Sequence, residues 1–230
     1  MLLAEELLLL VTDDASGRLS VSAAQVDAGL GGANLLELTL RNKVDLSGEQ
    51  DPGKPGRIII RDPSPAGDTI LDAALEILIA RQGQKPSAVI GPLSKNLRQM
   101  LYERLASGGM VRAERGKILG VFPVHRWPAQ DASLEVEVRR LMTQALVQQV
   151  APDTWIAALI ALVHAVGCED RIVDPRQHGL SKRELRARAE AIAKGNWASQ
   201  AVRKAIEEMM AAVLTATTAA AAATAIASAG

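Results

Sequence analysis

"TWIAALIALVHAVGC", Thr154 to Cys168, carries no formally charged side chain and is apolar all round. A helix of that kind is either buried in a core or spans a bilayer. Fifteen residues fall short of the roughly 20 that a span requires. The stretch therefore predicts a central core helix, with 154–166 buried deeper than any other helix.

The segments on either side have the pattern such a centre needs. "PAGDTILDAALEILIARQ" (65–82) predicts a helix with Asp68 at its N-cap and Ile70, Leu71, Ala74, Leu75 and Leu78 on one face. Residues 2–12 predict a leucine-rich helix. "DDASG" (13–17) reads as a turn, and Ser22 as the cap of a short helix over 23–28. "GLGGANLLELTLRN" (29–42) becomes amphipathic through Leu35, Leu36, Leu38 and Leu40, and "KVDLSG" and "GRIIIRD" flank a Pro/Gly-rich loop as a hairpin. Further helices are predicted over 93–107, 133–150, 181–195 and from Ala198 to about Ala222. Residues 93–107 bear the stripe Leu93, Leu97, Met100, Leu101, Leu105, and a hairpin follows over 110–122 with "ERGK" at its turn.

Composition agrees with a helical reading. Of 230 residues, 48% are apolar and 2% aromatic, with alanine and leucine dominant; strands favour β-branched and aromatic residues instead. The fold class expected is mainly α, with amphipathic helices around the hydrophobic one and one or two small β-hairpins. Residues 1–214 form the domain, and 215–230 an Ala/Thr-rich tail. Formal net charge is zero, which counts against a dedicated nucleic-acid binder. The lone Cys168 excludes a disulfide framework and a zinc cluster. "MLLAEELLLLVTDD" lacks the basic n-region and cleavage site of a signal peptide, so a cytoplasmic protein is expected. The widely spaced His125, His164 and His178 give no metal spacing, and P-loop and G-x-S-x-G motifs are absent. His164 reads as a hydrogen-bonded core histidine, and Trp127, Trp155 and Trp197 as core or edge packing. No enzyme, metal or cofactor is expected.

One region is basic. From Lys95 to Lys117 there are six Lys or Arg against two Glu, which suits phosphates of a membrane surface or of nucleic acid. A helix, two glycines and a hairpin with Arg112, Arg115 and Lys117 also describe a winged helix. A DNA wing carries basic residues at its turn, whereas a hairpin that enters lipid carries apolar ones.

"PAGDTILDAAL" resembles the P-x-G-D-x-x-L-D-x-A-L signature of the Golgi phosphoprotein 3 family. "LLAEELLLL" with "TDDASG", "GLGGANLLELTLRNKV", "LRQMLYERLASGGMV" and "IAALIALVHA" are similar to further segments of that family, in order, over about residues 1 to 214. "FPVHRWP" and the alanine-rich tail resemble its bacterial branch. The resemblance implies a non-enzymatic adaptor, peripheral to the inner face of a membrane, as the eukaryotic members bind phosphatidylinositol 4-phosphate and hold glycosyltransferases. It places two basic head-group residues on Lys95 and Arg98, spaced i, i+3 so as to converge on one phosphate. The family's pocket tryptophan and arginine fall on Ser22 and Gly31, so the lipid head group is left open. It places a bilayer-inserting hairpin tip on Ile118, Leu119, Gly120 and Val121, with Phe122 just after. The same apolar residues read equally as core strand or as a homo-oligomer contact through the 110–122 hairpin. The partner expected is an anionic phospholipid surface, with protein clients as a further reading and nucleic acid as the alternative.

Overall fold

The structure is a computed structural model that describes residues 1–118, 122–195, 207–208, 210–216 and 218. It is mainly helical. In chain order the elements are α1 (Leu3–Leu10), α2 (Ala23–Leu40), β1 (Val44–Leu46), β2 (Ile58–Ile60), α3 (Thr69–Ile79), α4 (Pro86–Ser94), α5 (Leu97–Ser107), β3 (Glu114–Ile118), β4 (Phe122–Arg126), α6 (Ser133–Leu146), α7 (Thr154–Val166), α8 (Glu169–Ile172), a 3-10 turn (Pro175–His178) and α9 (Lys182–Ala193). Residues 210–216 are helical too, with Ala212 and Val213 buried against the core. The rest of the helix predicted from Ala198 lies largely outside the described residues.

α7 is buried from Ile156 through Val163 and again at Ala165 and Val166. Asp153 caps its start, accepting from the Ile156 N–H at 2.8 Å. It is not deeper than every other helix, however: α1 is buried at every residue from Leu3 to Leu10. α2 contacts α1, α3, α4, α5 and α7. The interior is therefore shared by α1, α2 and α7, because a leucine-rich eight-residue helix is apolar enough to be enclosed completely.

Burying α1 also takes Glu5 and Glu6 out of water, and each is supplied with donors. Glu5 accepts the Leu2 N–H at 2.8 Å and faces Arg104 at 2.9 Å. Trp155 Nε1–H donates to Glu6 at 2.9 Å. Glu37 of α2 accepts the Leu3 N–H at 2.8 Å and pairs with Arg41 at 2.6 Å. Burial pushes the Glu6 and Glu37 carboxyls up, against these donors.

The two sheets are antiparallel pairs. β1 and β2 register Val44 with Ile60 and Leu46 with Ile58. β3 and β4 register Glu114 with Arg126 and Ile118 with Phe122. The second pair differs from the sequence reading: Glu114–Lys117, "ERGK", is strand rather than turn. The chain reverses between Ile118 and Phe122 instead. Leu119 and Val121 lie there, outside the described residues.

The first half of α2 also differs, since 23–40 is one helix and not a short helix followed by another. Ser22 caps it as expected, its hydroxyl accepting from the Gln25 N–H. The predicted helix over 93–107 is broken. α4, which the Pro- and Gly-punctuated "KPSAVIGPLSK" concealed, ends at Ser94, and α5 starts at Leu97. Asn96 joins them in a left-handed conformation (φ 60°). Asparagine tolerates that region better than most residues. Leu93, Leu97, Leu101 and Leu105 are buried, whereas Met100 is exposed.

Candidate functional site

The break between α4 and α5 opens onto a depression of about 560 Å³. Its floor is aromatic. Tyr102 of α5 stacks on Trp127, with ring centroids 4.9 Å apart and planes 3° from parallel. The Tyr102 hydroxyl and the Thr12 hydroxyl share a hydrogen bond of 2.7 Å. Burial pushes the Tyr102 phenol up, which keeps it neutral, with the Thr12 bond opposing.

Arg18 reaches the depression through the turn that precedes it. Asp13 Oδ1 accepts from the Ser16 N–H and Oγ–H, and the Asp13 carbonyl accepts the Gly17 N–H at 2.8 Å. Gly17 has φ +62°, and a Cβ on it would sit 2.3 Å from the Trp127 nitrogen. Only glycine lets the turn meet the Trp127 backbone, whose N–H donates to the Gly17 carbonyl at 3.1 Å. That contact sets the exposed Arg18 beside Trp127 and His125, both of which line the same depression.

Arg98 lies one helical turn before Tyr102 and faces the same space. Its Nε is 3.2 Å from Asp27 Oδ1, on α2. Burial pushes the Asp27 carboxyl up and Arg98 pulls it back. Lys95 does not share this space. It ends α4 with extended backbone (φ −61°, ψ 119°) and is not helical, so the i, i+3 geometry expected for Lys95 and Arg98 does not form. It lines an adjoining depression of about 600 Å³, with Arg81 as a second cation. The two depressions share Asp27, Ser94 and Asn96 as the ridge between them.

Ser22 is occupied as a helix cap, and Gly31 is closed off. A Cβ on Gly31 would lie 2.7 Å from the Ile90 carbonyl oxygen of α4. No arginine on that position reaches the depression while α4 packs there. The basic groups come instead from Arg18, His125 and Arg81, which sequence reasoning missed. Of the hairpin residues, Ile118 and Phe122 are the last paired residues of β3 and β4.

The other α5 cation is committed inward. Arg104 bonds Glu5 at 2.9 Å and Asp68 Oδ2 at 2.7 Å. Asp68 also caps α3, accepting from the Ile70 and Leu71 N–H groups. His164 is paired with Glu169 at 2.5 Å. Among the described residues no group of three or more His, Cys, Asp or Glu is arranged to hold a metal ion. No helix among them is long and apolar enough to cross a membrane.

The family model for Golgi phosphoprotein 3 (GPP34) matches residues 3–209. The chain belongs to the Golgi phosphoprotein 3 family. Within that family, it is similar to the vacuolar protein sorting-associated protein 74 of Eremothecium gossypii, at 26% identity over 224 residues. The match covers 79% of this chain and 66% of that protein, so this family member spans just under two thirds of that relative's length. The matched span includes every residue of the two depressions.

Proposed function

We propose that this Golgi phosphoprotein 3 family member is a peripheral adaptor that binds the phosphates of an anionic phospholipid surface, without catalysis. The observation that carries the reading is the paired depression at the α4–α5 break. A chain of zero net charge gathers Arg18, Arg98 and His125 in one half and Lys95 and Arg81 in the other. Each phosphate near these arginines and lysine gains about 1 kcal/mol per Lys or Arg. The family membership supports the same reading, and so does the name of the Eremothecium gossypii relative, a vacuolar protein sorting-associated protein.

The hairpin supports it as well. β3 pairs with β4 from Glu114↔Arg126 to Ile118↔Phe122, so "ERGK" is strand and not turn. A turn without those basic residues supports lipid contact through Ile118, Leu119, Val121 and Phe122 over a DNA wing. A recognition helix would also need a free basic face, whereas Arg104 of α5 is held by two carboxylates. The localisation that follows is the inner face of a membrane. A homo-oligomer through the hairpin would add avidity to a weak single site.

The test is co-sedimentation with vesicles of graded anionic head group, beside a gel-shift assay on duplex DNA. Salt-sensitive sedimentation with anionic but not neutral vesicles supports the reading. Binding to DNA with no response to vesicles would overturn it in favour of the winged helix.

A further inference from the structure

A carboxylate inside an anion site is out of place unless it has a task. Asp27 stands on the ridge that both depressions share, 3.2 Å from the Arg98 guanidinium. It is only about one third exposed, as is Arg98. In the 560 Å³ half the permanently charged cations, Arg18 and Arg98, face Asp27. The surplus there is one positive charge.

That surplus matches a phosphodiester, which carries one negative charge. It does not match a phosphomonoester, which carries about 1.5 to 2 at neutral pH. A further cation at the Gly31 position is closed off by the Ile90 carbonyl. An ionised carboxylate accepts hydrogen bonds and donates none. A ligand seated on Arg18 and Arg98 therefore meets repulsion at Asp27 from any second phosphate oxygen, and attraction from any hydroxyl. Ser94 and Asn96 on the ridge, and Gln99 beside it, are neutral hydrogen-bonding groups that extend the same preference. The 560 Å³ volume accommodates a small head group.

We propose that Asp27 is a specificity-determining residue which makes the site a reader of hydroxyl-bearing phosphodiester head groups, with the phosphate on Arg18 and Arg98 and a neighbouring hydroxyl donating to the Asp27 carboxylate. This assignment rests on the anionic-surface reading above and names the chemistry it takes. The raised protonation range of Asp27, imposed by burial, is consistent with a carboxylate that benefits from a donor the free protein lacks.

The experiment compares three vesicle populations in a phosphatidylcholine background: phosphatidylglycerol (a diester with hydroxyls), phosphatidylethanol (a diester without them) and phosphatidic acid (a monoester). A parallel arm titrates soluble glycerophosphoglycerol and glycerol 3-phosphate by calorimetry. The full chain is used as wild type, Asp27→Asn and Arg18→Gln. Wild type should prefer phosphatidylglycerol over phosphatidylethanol by about tenfold, the factor one charge-assisted hydrogen bond supplies. Asp27→Asn should lose that preference and gain affinity for phosphatidic acid. Arg18→Gln, at an exposed position that the fold does not need, should weaken all three together.

Equal binding to the three vesicles, unchanged by Asp27→Asn, leaves the membrane reading standing and overturns the head-group assignment. Discrimination between the soluble ligands with no vesicle binding overturns the membrane reading and keeps the role of Asp27. No binding in either arm overturns both.

Discussion

Gly31→Ala is a one-carbon test of how the site is built. Inside an exposed helix the change would stabilise by about 1 kcal/mol, since glycine is the poorest helix former after proline. Here the added Cβ would stand 2.7 Å from the Ile90 carbonyl oxygen and 3.4 Å from Ser94 Cβ and N. The obstacle is the backbone of α4, which has no rotamer to escape into. Overpacking of this kind costs about 1–3 kcal/mol, and more where backbone must move. Because the obstacle is backbone, the upper end of that cost, about 3 kcal/mol, applies, and after the propensity gain of about 1 kcal/mol the net expectation is a loss of about 2 kcal/mol. For a chain of this size that is a fall in Tm of about 4–8 °C, at 2–4 °C per kcal/mol. Urea denaturation followed by far-UV circular dichroism, with a thermal melt beside it, measures both. Because α4 leads into Ser94, Lys95 and Asn96, which line the depressions, the variant should also bind anionic vesicles more weakly. A Gly31→Ala protein as stable as wild type or more so would mean that α2 and α4 do not touch as described, and the placement of Lys95 would fall with it.

Other outcomes follow from the same structure. Asp68→Ala removes the cap of α3 and one of the two partners of Arg104, and should cost about 2 kcal/mol in a urea melt. Glu135 is 4% exposed and burial pushes its carboxyl up to about 7, against the pull of Arg139. The folded protein then holds a proton that the unfolded chain releases near pH 4.5. Stability from this group is full below that pH and is lost as pH rises through about 7. Relative to Glu135→Gln, wild type should lose about 3 kcal/mol between pH 4.5 and pH 8. An unchanged difference across that range would show that Glu135 is ionised throughout. Leu119→Asp should abolish vesicle sedimentation while leaving cooperative unfolding intact; a variant that still sediments removes the hairpin from the membrane contact.

The elements with a strong single period were legible from sequence. α1, α3, α6, α7 and α9 appear where their apolar spacing and, for α3, the cap at Asp68 put them. α4 was hidden because Pro86, Gly91 and Pro92 punctuate it, although proline at the first helical position is favourable. The turn of the second hairpin is not legible because "ERGK" is polar, and polar residues pair in a strand as readily as they turn. The site was half legible. Lys95 and Arg98 were named, but the reading treated them as one helical pair, and a single left-handed residue at Asn96 separates them. Arg18, Asp27, His125 and Trp127 come from segments that meet only through tertiary packing. The contact that assembles them, Gly17 against the Trp127 backbone, leaves no periodic signal.

Charge reversal at both named cations tests the central claim most directly. Lys95→Glu/Arg98→Glu should fold as wild type by circular dichroism, since Lys95 is exposed and Arg98 partly so. Its binding to anionic vesicles at physiological salt should weaken by about 2 kcal/mol or more, at about 1 kcal/mol per basic residue near the surface. Sedimentation equal to that of wild type, with the fold intact, would contradict the account.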